Sequence, residues 1–303
     1  MTQDRPLLGI FLMLGFCFLA PLGDATAKVL SNVLPLGILV FARFVIQAAI
    51  LVPLVALTKR PWRMRARLFW LVVARTLLHI VGISAMFGAL MFLPLADAIA
   101  IAFVMPFIML LLGKYFLGEE VGTRRLGACI VGFIGTLLVI QPSFAQVGLP
   151  ALLPLIVAVV FALFMLVTRK LAKETDPISL QAVSGVVASA ILLPALLIAS
   201  DEPITDPIFS MDSGSLLLLF GIGLIGTLAH LLMTWSLRYA PSTTLAPMQY
   251  LEIPVATVIG WLIFRDLPNG LAAVGIAITI ASGLYVILRE RAIARSGPTE
   301  TPA

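Results

Sequence analysis

From residue 7 to residue 288 the chain is a near-unbroken succession of apolar stretches, separated by short polar or proline-bearing hinges. About 20 consecutive apolar residues carry an α-helix through the hydrocarbon core of a bilayer. In that medium every backbone N–H and C=O must be satisfied within the protein, and helices do this within one segment. The chain is therefore predicted to be an all-α integral membrane protein. A mean hydropathy of +1.11, with only 12% charged residues, places it far outside the composition of soluble domains. The stretches parse into ten spans at approximately 7–27, 35–57, 68–92, 94–117, 123–141, 149–168, 178–200, 213–237, 241–264 and 270–288. No Lys/Arg-rich region precedes the first span, and Pro21, Gly23 and Asp24 do not form a small-x-small cleavage site, so a removed signal peptide is not expected.

The basic residues fix an orientation. With the N-terminus in the cytoplasm, Arg5, the group Lys59 to Arg67, Lys114, Arg124, Arg125, Arg169, Lys170, Lys173, Arg238, Arg289, Arg291 and Arg295 all fall inside. Only Lys28 and Arg265 fall outside, and the loop between spans 7 and 8 holds Asp201, Glu202, Asp206 and Asp212 with no base. The positive-inside rule then predicts both termini in the cytoplasm. A net charge of +5 sorted in this way forms no patch with interleaved aromatics, so nucleic acid is not an expected partner. The basic loop 58–67 reads as a cytoplasmic anchor in contact with membrane lipid. Cys17 and Cys129 lie within spans, have no metal-ligand spacing, and read as small apolar packing residues.

Polar groups inside the spans are the candidates for function. Translocon scales charge about 2.5–3.5 kcal/mol for an Asp at a helix centre, so such a group is expected to face protein or a water-filled cavity. Residues 240–268 carry Gln249, Tyr250 and Glu252 between Pro247 and Pro254. On a continuous helix Ser242, Gln249, Glu252, Ala256 and Gly260 share about an 80° arc, and Glu252 sits roughly 16 Å from the inner end, near the midplane. Span 2 holds Arg43 about 12 Å deep. Span 3 aligns Arg75 and His79 with Gly82 and Met86, and span 8 aligns Thr227, His230 and Thr234, followed by Trp235. Span 1 places Cys17, Pro21, Asp24 and Lys28 on one face, with Asp24 and Lys28 spaced to pair at the outer end. Span 4 holds Asp97 near its outer end and Pro106 at its centre, where a kink is expected. In span 6, Phe161, Phe164, Met165 and Thr168 read either as a cavity wall or as packing.

The chain also repeats itself. Lys28 and Pro35 fall on Lys170 and Pro177 at an offset of 142, and Leu90 and Pro94 fall on Leu237 and Pro241 at 147. At 148, Pro106 meets Pro254, Phe116 meets Phe264, Gly122 meets Gly270, Gly127 meets Gly275 and Gly135 meets Gly283. Five spans per copy is an odd number, so the second copy enters from the opposite side and the repeats are inverted, an arrangement typical of secondary transporters. The expected units are residues 7–141, residues 149–288 and a cytoplasmic tail, 289–303.

Each half resembles the EamA domain of the drug/metabolite transporter superfamily, on a proline, an apolar run, Gly-Glu and a glycine-bearing helix. Here these are Pro106, Gly118-Glu119 and Gly127 to Gly135, and again Pro254, Asp266 and Gly275 to Gly283. In the second copy Arg265-Asp266 replaces Gly-Glu and arrives one residue early. The resemblance implies ten helices with a cavity lined mostly by spans 1, 3, 4, 6, 8 and 9, and spans 5 and 10 at the side. It also implies a metabolite as cargo, from a range that includes amino acids, nucleosides, sugars, vitamins and adenosylmethionine-like molecules.

The expected substrate-binding set is Glu252, Gln249, Tyr250, Arg75, His79, Arg43, Asp24, Trp235 and His230. Glu252 reads as the partner of an amine-bearing substrate or as a proton site; the alternative is a buried ion pair with Arg43 or Arg75 that fixes packing. Either guanidinium suits a substrate carboxylate, and with Glu252 a zwitterion. Tyr250 and Trp235 offer faces to a ring or a cation. Expected function is secondary transport of a small polar or amphipathic metabolite, with amino acids and other amine-bearing metabolites favoured, across a bacterial inner membrane. Proton coupling through Glu252, Asp24 and Asp97, no cofactor, and a monomer or homodimer complete the expectation. A membrane-embedded enzyme is the rival reading. It would need a nucleophile with its base or a metal set, yet H-E-x-x-H, G-x-S-x-G and Walker A patterns are absent and the two histidines are far apart in sequence, so no catalytic or metal residue is expected.

Overall fold

A computed structural model describes residues 5–118, 122–199 and 205–296. Glu119, Asp201 and Glu202, named above, lie outside the described residues. The helices in chain order are α1 Pro6–Leu30, α2 Leu36–Leu57, α3 Ala66–Leu90, α4 Leu95–Ala102, α5 Met105–Leu117, α6 Thr123–Val147, α7 Leu153–Glu174, α8 Pro177–Ala199, α9 Asp206–Phe209, α10 Ser213–Tyr239, α11 Ser242–Leu245, α12 Glu252–Phe264 and α13 Gly270–Ser296. Two 3-10 turns, Leu149–Leu152 and Ala246–Leu251, complete the list, and the described residues contain no strand. Eight segments are long and apolar enough to cross a membrane, α4 and α5 counting as one; Met248–Phe264 and Gly270–Tyr285 are shorter apolar helical segments.

Proline starts many of these helices. Pro35, Pro94 and Pro241 stand at the N-caps of α2, α4 and α11, and Pro6 and Pro177 open α1 and α8. A ring that fixes φ and lacks an N–H costs nothing where the first turn has no backbone acceptor to reach. Asp212 caps α10 differently: its Oδ2 accepts from the backbone N–H groups of Gly214 and Ser215, at 2.9 and 3.3 Å. The Ser215 hydroxyl first, and then those two amides, hold its carboxyl below the usual carboxylate range.

The main packing pairs are α1 with α10, α3 with α7, α2 with α8, and α6 with α13. The α6–α13 seam is held by small residues: a Cβ on Gly135 would lie 2.6 Å from the Gly275 carbonyl oxygen. Thr279 Oγ1 donates to Gly132 O at 3.4 Å, and Ser282 Oγ donates to Ala128 O.

Both ends of the bundle are tied. At the end holding the N-terminus, the Arg5 amide donates to Tyr239 O at 2.7 Å, Ser236 Oγ to Gly9 O at 2.6 Å, and Arg169 Nη1 to Leu237 O at 2.5 Å. At the other end, Lys28 Nζ donates to Leu93 O at 2.8 Å and pairs with Asp266 Oδ2 at 3.5 Å. This corrects the expected Asp24–Lys28 pair. Lys28 reaches past the end of its own helix to the Leu93 carbonyl and the Asp266 carboxylate.

Proline does not merely kink the fourth span. α4 stops at Ala102, Phe103 and Val104 form a turn, and α5 begins at Met105 with Pro106 in its first turn. The missing N–H of Pro106 is cheapest at a helix start, which moves the break ahead of the residue.

Candidate functional site

Between α1, α3, α4, α7, α10 and α12 lies a cavity of about 90 Å³. Its wall is mostly apolar, with Phe16, Phe87, Phe103 and Phe161 among its residues, but four ionisable side chains reach it: Asp24, Arg43, His230 and Glu252. They come from four helices, α1, α2, α10 and α12.

Glu252 is the first residue of α12, where the backbone leaves the 3-10 turn. It is 8% exposed, and among the described residues its Oε1 has no hydrogen-bond partner. The Cys17 thiol stands beside the carboxyl and donates to Met248 O at 3.6 Å. The buried ion pair weighed for Glu252 is not formed, because neither Arg43 nor Arg75 is within 4.0 Å of it.

Arg43 crosses from α2 to lie flat on α10 at Gly226. A Cβ there would be 2.9 Å from Arg43 Nε and 3.2 Å from its Cζ, so only glycine leaves the slot open. Arg43 Nη2 lies 3.0 Å from His230 Nδ1 and 3.5 Å from His79 Nε2. The two imidazoles, 151 residues apart in sequence (230 − 79), meet with ring centroids 4.3 Å apart. Phe16 and Phe161 pack edge-on against His230, and Phe44 against His79.

The remaining expected residues stand behind the wall. Arg75 donates from Nε to Thr168 Oγ1 at 2.7 Å and from Nη1 to Ser184 Oγ at 2.9 Å, with its guanidinium over the Phe164 ring at 4.4 Å. It ties α3 to α7 and α8. His79 is fully buried between Phe44 and Phe164 and meets the site through Arg43 and the His230 ring. Gln249 points its amide at sulfur, Nε2 lying 3.0 Å from Met165 Sδ and 4.0 Å from Met13 Sδ. Tyr250 packs on Phe103, ring centroids 5.4 Å apart, and against Gly132 of α6. Trp235 packs with Ile50, Val52 and the Leu51–Val55–Ile178 cluster. Span 6 divides likewise: Phe161 lines the cavity, while Phe164 and Thr168 support Arg75.

Sequence reasoning missed Cys17, Gly226 and Phe16 as neighbours of the charged groups. For Cys17 a signal existed, since it shares a helix face with Asp24; for Gly226, one turn before His230, the signal was a small residue facing a buried polar one.

A bundle of apolar helices whose centre collects buried ionisable groups from both halves of the chain defines a multi-pass membrane protein of the transporter class. The chain belongs to the EamA-like transporter family, whose model matches residues 7–141 and again 148–289. Among curated relatives, a riboflavin transporter of Rhizobium johnstonii is 28% identical over 75% of this chain and 73% of its own. An S-adenosylmethionine uptake transporter of Rickettsia bellii is 26% identical over 88% and 89%, and the pseudopaline exporter CntI of Pseudomonas aeruginosa is 25% identical over 98% and 99%. A solved crystal structure superposes with a TM-score of 0.69 at 17% identity, covering 94% of this chain and 98% of the other, which shows the fold.

Proposed function

We propose that the protein is a secondary transporter of the bacterial inner membrane that moves an amine-bearing metabolite by alternating access. The observation that carries the reading is Glu252, a nearly buried carboxyl on the cavity wall whose Oε1 lacks a partner among the described residues. A substrate ammonium supplies the partner the protein withholds. The names of some relatives accord with this: adenosylmethionine carries an amino group, whereas riboflavin carries no ammonium and is the contrasting cargo.

Ten spans in two inverted halves, with both termini cytoplasmic, give such a molecule its two openings. Three features support that arrangement. Exchanging the halves converts the α1–α10 pair into α7–α3, and it returns α2–α8 and α6–α13 to themselves. Both central proline-bearing spans are broken, one at 103–104 and one at 246–251. Near the end of the first helix of each half a base, Lys28 or Arg169, donates to a carbonyl shortly before Pro94 or Pro241. Protons moving through Glu252 and Asp24 are the proposed coupling ion.

The test is thermal stabilisation of purified protein by amino acids, adenosylmethionine, their decarboxylated amines and riboflavin, since a ligand that binds only the folded state raises its melting temperature. Amine-bearing members should stabilise the wild type and lose that effect in Glu252→Gln. Stabilisation by riboflavin alone, or an undiminished amine response in Glu252→Gln, contradicts the reading.

A further inference from the structure

The Arg43 cluster contains more hydrogen-bond donors than the protein gives it acceptors. Arg43 is 2% exposed and always charged, and no described carboxylate lies within 4.0 Å of it. Asp24 attracts it from the same cavity wall without touching it. Arginine only donates, so its Nη2 contacts require lone pairs on His79 Nε2 and His230 Nδ1. That tautomer puts protons on His79 Nδ1 and His230 Nε2, and neither atom has a partner among the described residues; nor has Arg43 Nη1. His230 Nδ1 is also 2.9 Å from Gly226 O. If it donates there instead, one Nη2 hydrogen of Arg43 loses its acceptor. In either tautomer the surplus is of donors, and the ligand that answers a buried donor surplus around a fixed positive charge is an anion.

We infer that Arg43, seated against Gly226 and flanked by His230 and His79, is the receptor for a carboxylate on the transported molecule. The cargo is then a zwitterion, its carboxylate on Arg43 and its ammonium toward Glu252 and Asp24. This rests on the amine reading of Glu252 and adds the second pole. Arg75 has no part in it, because it does not line the cavity: Thr168 and Ser184 hold its Nε and Nη1 behind the wall, where its Nη2 is without a partner among the described residues.

The experiment compares each zwitterion with its own decarboxylated amine, for instance histidine with histamine and adenosylmethionine with its decarboxylated form, by titrated thermal shift on the full-length protein. In the wild type the zwitterion should bind about 10- to 100-fold tighter than the amine, the size of a charge-assisted contact. Arg43→Gln should erase that preference by weakening the zwitterion alone, and Arg43→Lys, which keeps the charge and loses the fork, should retain a reduced preference. Gly226→Ala covers the case in which the Arg43 variants do not fold. The guanidinium is the free end of a flexible side chain and gives way before the helix does, so this variant should fold and show a diminished preference. Equal binding of zwitterion and amine in the wild type, or a preference that survives Arg43→Gln or Gly226→Ala intact, overturns the inference and leaves the amine reading standing. Binding of neither partner overturns both.

Discussion

Arg43 and Arg75 carry the same charge within neighbouring helices, and what separates their roles is the set of hydroxyls around each. Thr168 and Ser184 convert Arg75 into a packing element, although they are 93 and 109 residues away in sequence. No local spacing could reveal those contacts, whereas the depth of both arginines was readable from the apolar runs alone. The same holds for the histidines: each was legible as a buried polar residue, and their meeting across Arg43 was not. Ser184→Ala should leave Arg75 Nη1 without its acceptor and cost about 1–3 kcal/mol of stability, read as a lower melting temperature with substrate affinity unchanged. Unaltered melting would mean that Arg75 is not held as described.

At the scale of elements, the prolines announced where two spans would break but not how. Ala246–Leu251 winds as a 3-10 turn, about 120° per residue where an α-helix advances about 100°. At that pitch residues three apart eclipse, so winding alone puts Gln249 on the face of Glu252 and leaves Tyr250 on another. Tertiary contacts decide the rest: the Gln249 amide meets methionine sulfurs and Tyr250 packs on Phe103. The arc drawn on an ideal helix puts Gln249 beside Glu252, but it carries no sign of the Met13 and Met165 sulfurs from α1 and α7 that meet the Gln249 amide. The small-residue seams were more legible, because Gly135 and Gly275 sit in runs where only close backbone approach explains the missing side chains. Gly135→Ile should force α6 from α13 and destabilise the protein by about 1–3 kcal/mol or more, measured by thermal unfolding in detergent. A fully stable variant would show that the seam is looser than the 2.6 Å clearance implies.

At the scale of the whole molecule, the bundle is tied at both ends and the charged groups meet at a small cavity between them. Lys28 ties one end to Leu93 and Asp266, and Arg5, Ser236 and Arg169 tie the other. A cavity of about 90 Å³ holds a few waters, so the proposed function requires a wider state, expected when one set of ties opens. The central claim, that Glu252 is the charge on which transport turns, is tested most directly by flux. Proteoliposomes containing wild-type protein or Glu252→Gln, reconstituted to equal density, are loaded with the best-binding zwitterion and assayed for counterflow of the labelled compound. Rapid exchange is expected in the wild type, with its loss in a folded Glu252→Gln; exchange at the wild-type rate in that variant would rule out the role given to Glu252.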